Sequence, residues 1–272
     1  MSQPTDDTIR TAVRETYHVI AVGESSGCCG PSNASCCSPS VPAQVDSLHL
    51  GYAAHDLVSL PEGADLGLGC GNPGAIAALQ PGETVLDLGC GAGVDAFLAA
   101  RAVGPQGRVI GVDTTPAMIG RARANADSGG YTNVDFRLGE IENLPVADST
   151  VDVIISNCVI NLSPDKAAVF RDAFRVLRPG GRLAISDIVA STDIPEDLRR
   201  DLSLHSACLG GASPISELET LMARAGFENI RITPKQESKA FIDQWAPGHE
   251  ITDYVVSATI QAVKPSAGSS CC

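Results

Sequence analysis

The sequence predicts an α/β fold, a doubly wound sheet of Rossmann-like type, and three observations carry that reading. Strand and helix signals alternate through residues 84–187, which is the signature of a parallel sheet. A buried apolar strand at Thr84–Leu88 runs directly into a glycine turn at 89–93 and then into a helix of small residues. A length of 272 residues with 44% hydrophobic and 19% charged side chains is enough to bury a sizeable core.

In chain order, Ile9, Val13, Tyr17 and Ile20 recur at three-to-four spacing and predict a helix over 5–22, ended by Gly23. From Gly23 to about Asp46 the composition turns to Gly, Ser, Pro and Cys without period, which predicts a mobile loop unless something pins its thiols. Asn72 as cap and Pro73 as first residue open a short apolar helix through Leu79. After the Thr84–Leu88 strand, further strands read at 108–113, 134–138, 151–156 and 182–187, with helices after Gly93, from Pro116 and from Pro164. Beyond Asp187 come helical stretches near 196–207 and 214–225, the second with Ser213 as cap and Pro214 as first residue. Strand signals at 230–233 and 254–263 would complete the sheet as an edge pair. The word LGCG occurs twice, at 68–71 and 88–91, but only the second follows a strand. The expected organisation is an N-terminal helix and Cys-rich loop over 1–80, a cofactor-binding core over 81–190, C-terminal substrate-side elements over 191–264, and a flexible tail over 265–272.

Acids outnumber bases 32 to 19, and the net charge of −13 argues against nucleic acid and anionic membranes as partners. Aromatics at 4% make base-stacking platforms improbable, and no run of 18 apolar residues offers a membrane span. The start, MSQPTDDTIR, lacks the basic and apolar regions of an export signal, so a cytoplasmic location is expected and the ten cysteines should be thiols. They fall as the pairs Cys28-Cys29, Cys36-Cys37 and Cys271-Cys272, with Cys70, Cys90, Cys158 and Cys208 single.

The turn Leu88-Gly89-Cys90-Gly91-Ala92-Gly93 spaces its glycines as G-x-G-x-G, and Asp87 sits inside the motif, where it would repel a dinucleotide pyrophosphate. A cationic ligand fits better. S-adenosylmethionine carries a sulfonium and an ammonium and no phosphate, so the carboxylate becomes favourable. Asp113, at the end of the next strand, has two acceptor oxygens for two vicinal ribose hydroxyls. Met118, one helical turn further on, is placed for the adenine face, and Gly139-Glu140-Ile141-Glu142 for the adenine edge. With Leu177-Arg178-Pro179-Gly180-Gly181-Arg182-Leu183, these words resemble the class I S-adenosylmethionine-dependent methyltransferases over about residues 82–188. The resemblance implies Asp87, Gly89, Gly91 and Asp113 as cofactor contacts, joined by Thr114, Met118, Glu140, Ile141 and Asn157.

At the end of the fourth strand, where the family faces the transferring methyl, the chain reads Asn157-Cys158-Val159-Ile160 instead of the Pro-Pro-aromatic word of amine alkylation. None of the five histidines lies in that motif, so no general base for a hydroxyl acceptor is evident. Cysteine also packs as a small hydrophobe, which suits Cys90 in the turn, but several single cysteines converging on a cofactor would form a soft-ligand site. The words around Gly67-Leu68-Gly69-Cys70-Gly71-Asn72-Pro73, Ser156-Asn157-Cys158-Val159-Ile160-Asn161-Leu162, Ala207-Cys208-Leu209-Gly210-Gly211-Ala212 and Trp245-Ala246-Pro247-Gly248 closely resemble the arsenite methyltransferases over about residues 48–264. That family implies that Cys158 and Cys208 bind trivalent arsenic, assisted by Cys70 and one of Cys28, Cys29, Cys36 or Cys37.

The expected acceptors are arsenite, methylated trivalent arsenicals and their thiol adducts, handled by a monomer. A pyramidal arsenic held by thiolates turns its lone pair away from the sulfurs and attacks a sulfonium methyl without losing a proton, so positioning and water exclusion are the protein's work. Methylation formally oxidises arsenic, so two electrons must return from a thiol pair, with Cys70 and an N-terminal cysteine as candidates and an external thiol such as glutathione or thioredoxin as reductant. Two rivals remain open: a quinone- or sterol-type C- or O-methyltransferase, and a thiol-based metalloid-binding protein on a methyltransferase fold.

Overall fold

The computed structural model describes residues 4–23, 44–243, 245 and 250–266. Of the loop expected from Gly23 to about Asp46, residues 24–43 with Cys28, Cys29, Cys36 and Cys37 lie outside the described residues, as do residues 267–272 of the tail expected over 265–272, with Cys271 and Cys272.

Strands β1 (Thr84–Leu88), β2 (Arg108–Asp113), β3 (Val134–Leu138), β4 (Val151–Asn157), β5 (Leu177–Ala190), β6 (Glu228–Lys235) and β7 (Val255–Val263) form one seven-stranded sheet in the order β3-β2-β1-β4-β5-β7-β6. The first five pair in parallel, and β7 runs antiparallel to both β5 and β6. Thus the five parallel strands and the C-terminal pair read from the sequence are all present. Nearly every other residue or more of β7 is buried while β6 is largely exposed, which suits β7 to the inner position and β6 to the edge.

Helices α4 (Val94–Val103) and α5 (Pro116–Gly129) pack Phe97, Ala100, Ile119 and Ala122 on one face of the sheet. On the other face, α6 (Lys166–Val176) and α9 (Ile215–Ala225) pack Val169, Phe170, Leu218 and Met222. Leu86, Leu88, Ile154 and Ile155 are fully buried between these layers, and truncation of any one to alanine should cost about 2–5 kcal/mol. Because β1 lies between β2 and β4, the chain winds outward in both directions from it, and this reversal opens a crevice at the strands' carboxyl ends.

Helix α1 (Asp6–Val22) matches its expected span, with Thr5 Oγ1 accepting from Thr8 N and Gly23 closing it in the left-handed region at φ 69°. Elsewhere side chains move the expected boundaries. The 72–79 helix is only α3 (Gly74–Ala77), capped by Asn72 Oδ1 accepting from Ala75 N at 3.1 Å and stopped by Ala78 at φ 47°. Asp165, whose carboxylate accepts from Ala168 N, starts α6 two residues after Pro164. The single helix expected at 196–207 is divided into α7 (Glu196–Arg200) and α8 (Leu202–Ser206), because the Asp201 carboxylate caps the second segment at Ser203 N and Leu204 N. Pro214 is extended, so α9 begins at Ile215 without a side-chain cap from Ser213. Strand β5 begins at Leu177, earlier than expected. Its Arg178-Pro179-Gly180-Gly181 stretch forms a register shift between Val151 and Val153, held by Gly180 N donating to Lys264 O and Lys264 N donating to Gly181 O, both at 2.8 Å. The short helices α2 (Ala54–Val58) and α10 (Lys239–Ile242) carried no periodic signal. Among the described residues no helix is long and apolar enough to cross a membrane.

Candidate active site

The crevice at the ends of β1, β2 and β4 spans ≈ 1110 Å³ of space, part of it open solvent, and is lined on one side by Arg10, Val13 and Tyr17 of α1. Its floor is the glycine turn. Gly89, Gly91 and Gly93 all have positive φ, and a Cβ on Gly89 would collide with Val159 while one on Gly91 would meet open space. Asp113 clamps this turn to β2, accepting from Gly91 N at 3.0 Å and from Thr115 N at 2.8 Å. Each carboxylate oxygen keeps a further lone pair for a ligand. Met118 is fully buried and Ile141 nearly so, and both line the cavity. Thr114 Oγ1 donates to Glu140 Oε1 at 2.8 Å, and Glu142 joins Ser163 and Arg10, which fastens α1 to the loop after β3. Cys90 lies under the turn, packed against Gly111 in the hydrophobic core.

The electrostatics of this cavity are those of a receptor for a cation. Asp87 is buried, and its Oδ2 has no hydrogen-bond partner among the described residues. Burial, then the charges of Asp95 and Asp113, push its carboxyl well above the usual range. Burial likewise pushes Asp95 up to about 6, although Tyr52 and Asn157 donate to it. Such an unpaired, buried carboxylate is costly unless a positive group arrives. The sulfonium and ammonium of S-adenosylmethionine satisfy that demand, and the residues present therefore fit the donor.

The wall of the same cavity includes Cys158, which belongs to a buried cluster with Cys70 and Cys208. Cys158 follows β4 at φ 59°, Cys208 follows α8 at φ 64°, and both are buried. Left-handed backbone at a non-glycine residue costs about 1–2 kcal/mol, so two such cysteines side by side point to a constraint beyond packing. Asp187 and Asn161 hold them there: Asp187 accepts from Ile160 N at 2.8 Å and from Asn161 Nδ2 at 2.9 Å, while Asn161 Nδ2 also reaches the Ile188 and Cys208 carbonyls. Asp187 is itself pushed up to about 6 by burial, against the pull of its backbone donors and Lys166. Cys208 Sγ donates to the Cys158 carbonyl at 2.6 Å.

Cys70 completes the group. Its thiol lies close enough to that of Cys158 for each to shift the other's ionisation, and Cys70, Cys158 and Cys208 share one buried cluster with Trp245. Burial raises the Cys70 thiol; burial and then the neighbouring Cys208 and Cys70 raise that of Cys158 further. With Cys208 turned toward a carbonyl, the described residues form no ready-made cage of three Cys, His, Asp or Glu ligands. The LGCG word at 68–71 is thereby explained. Gly69 and Gly71 let the Cys70 loop lie against β4 and β5, since a Cβ on Gly69 would come within 2.5 Å of Asn157 Nδ2 and one on Gly71 within 2.8 Å of Ser186 Oγ. Sequence reasoning passed over Tyr17, Tyr52, Asp95 and Asp187. Asp95 and Asp187 are marked by burial and by donors that come from distant segments of the chain, and both become visible only in three dimensions.

A methyltransferase domain model matches residues 79–226. An arsenite methyltransferase of Halobacterium salinarum is 52% identical over 263 residues, covering 94% of this chain and 67% of its own length. The chain belongs to the arsenite methyltransferase family. Another member, from Aquipseudomonas alcaligenes, is 45% identical over 175 residues, and this chain covers 50% of its length. Among solved structures, an arsenic(III) S-adenosylmethionine methyltransferase from Chlamydomonas reinhardtii superposes with a TM-score of 0.60 at 36% identity, covering 74% of this chain and 68% of that one. The doubly wound sheet is thus a methyltransferase sheet, and the family membership agrees with the sequence resemblance.

Proposed function

We propose that this chain transfers methyl groups from S-adenosylmethionine to trivalent arsenic. One observation carries the reading: Cys70, Cys158 and Cys208 share one buried cluster, and Cys158 also stands in the wall of the cavity that Asp87, Asp95 and Asp113 line. When bound, the donor supplies an electrophilic sulfonium methyl for the arsenic lone pair. Asp87 and Asp95 hold the donor's positive groups, Asp113 its ribose, and Met118 with Ile141 its adenine. Gly89, Gly91, Thr114, Glu140 and Asn157 shape that pocket.

Raised thiol pKa values at Cys70 and Cys158 suit this substrate. Each As–OH condenses with an S–H to form As–S and water, so neutral thiols react with neutral arsenous acid and no base is needed. Cys208 must turn from the Cys158 carbonyl to join them. Tyr17, Leu162 and the cover of α1 exclude water from the methyl. An external thiol reductant, glutathione or a thioredoxin-type protein, together with Cys70 and one of Cys28, Cys29, Cys36 or Cys37, returns the two electrons that methylation removes from arsenic. The four free cysteines described fit a reducing cytoplasm, and the acidic surface fits a monomer without nucleic-acid partners.

Incubation with arsenite, labelled donor and a thiol, followed by speciation of arsenic, tests the reading. Mono- or dimethylated arsenic is the expected product. Absence of any methylated arsenic at saturating donor, with methylation of a quinone in the same preparation, would replace it with the ring-methylating alternative.

A further inference from the structure

Between the donor cavity and the thiol cluster lies a hydrogen-bonded bridge centred on Asn157. Its Nδ2 donates to Gly71 O at 2.8 Å, Tyr52 Oη at 2.9 Å and Asp95 Oδ2 at 3.2 Å, and its Oδ1 accepts from Cys70 N at 2.9 Å. Tyr52 Oη in turn donates to Asp95 Oδ1 at 2.7 Å. One amide therefore grips the backbone on both sides of the Cys70 side chain, and the carboxylate that grips the amide lines the donor cavity beside the unpaired Asp87. Ser257 Oγ of β7 donates to the Cys70 carbonyl at 2.8 Å.

We propose that Asn157 is a positioning residue that couples the two sites: donor binding strengthens the Asp95–Tyr52–Asn157 bridge and thereby sets Cys70 against Cys158 for a third bond to arsenic. The inference rests on the arsenic reading above. Its physical basis is the acceptor capacity of Asp95. Ionised by a neighbouring cation, Asp95 accepts at both oxygens from Tyr52 and Asn157 through charge-assisted bonds; protonated, it turns one oxygen into a donor and loosens one of them. Coupling of this kind is reciprocal, so bound arsenic tightens donor binding by the same factor. A species that uses only Cys158 and Cys208 escapes it.

The single tryptophan, Trp245, sits in the thiol cluster, so its fluorescence is the probe chosen for arsenical binding. Arsenite and phenylarsine oxide, which has two exchangeable bonds, are titrated into the full chain with and without an unreactive donor analogue bearing an amine in place of the sulfonium methyl. In the unaltered chain the analogue should tighten arsenite by about fivefold or more, the lower end of ordinary coupling, and leave phenylarsine oxide unchanged. In Asn157→Ala, and in Tyr52→Phe, which keeps the buried ring, that factor should fall to about one while phenylarsine oxide still binds. Thermal melts confirm that each variant is folded. An arsenite factor retained in folded Asn157→Ala and Tyr52→Phe, or equal factors for both arsenicals in the unaltered chain, overturns the coupling and leaves the arsenic reading standing. Failure of the unaltered chain to bind either arsenical overturns both.

Discussion

At Cys158 and Cys208 the backbone adopts a conformation that glycine would occupy without strain, yet the residue is cysteine in both places. Asp187 and Asn161 over-determine that geometry, so the strain is sustained by four hydrogen bonds to the 158–161 turn, Ile188 and Cys208. The thiols are what the strain preserves. Cys158→Ser and Cys208→Ser should each lower methylation of trivalent arsenicals by about 100-fold or more, because a hydroxyl is too hard to ligate arsenic at neutral pH. Donor affinity, measured by calorimetry, should be unchanged in both; activity retained in either removes it from the site. Asp113→Ala should act in the opposite sense, weakening the donor by about 1–3 kcal/mol through lost ribose bonds and a loosened Gly91 N–H while arsenite binding persists. Unaltered donor affinity in that variant would reject the ribose assignment.

Elements bring these residues within reach of one another. The loop over 67–73 carries no regular structure, but its glycines allow it to lie on the ends of β4 and β5, and Asn157 fixes its height. Gly69→Ala places a Cβ against the Asn157 amide, and overpacking of this kind costs about 1–3 kcal/mol. A melting temperature equal to that of the unaltered chain would show that the loop is not clamped there. Cys70→Ser leaves the clamp intact and removes only the thiol. Arsenite has three exchangeable hydroxyls and a monomethylated arsenical has two, so this variant should lose the first methylation and keep at least part of the second. Equal loss of both, assayed with glutathione and again with a dithiol, would make Cys70 essential to the shared step.

Over the whole molecule, the reversal of strand order at β1 assembles more buried acid than the protein alone can neutralise. Asp95 and Asp187 are pushed up to about 6, and Asp87 is raised by burial as well. The sign follows from linkage. A carboxyl whose folded pKa exceeds its unfolded value stabilises the donor-free fold below the unfolded pKa, and that contribution is lost as pH rises through about 6. A bound cation offsets the loss at Asp87 and Asp95, which line the cavity, and not at Asp187, which does not. The rise in melting temperature caused by a cationic donor should therefore be larger at about pH 7.5 than at about pH 5.5, and the donor should bind more weakly at the lower pH. A donor-induced shift independent of pH would mean that neither acid meets the cation.

How much of this was legible depends on the range of the interactions. Strand and helix identity follows from hydrophobic period, and the cofactor turn follows from glycines and an acid within a few residues, so the sheet, the donor and the family's cysteines could be read along the chain. Boundaries such as Asp165 and Asp201 escaped because a capping carboxylate overrules the local period. Tyr52, Asp95 and Asn157 meet across 105 and 62 residues of sequence, and no local pattern announces such contacts. Sequence alone determined which chemical groups the molecule carries and the order of its strands along the chain. Only the tertiary structure decided that Asp87 would be left without a partner, that Cys158 and Cys208 would be held in left-handed turns, and that one amide would join the donor cavity to Cys70. Burial, which sets the energy of an unpaired charge, and side-chain contacts across many residues are properties of the packed chain.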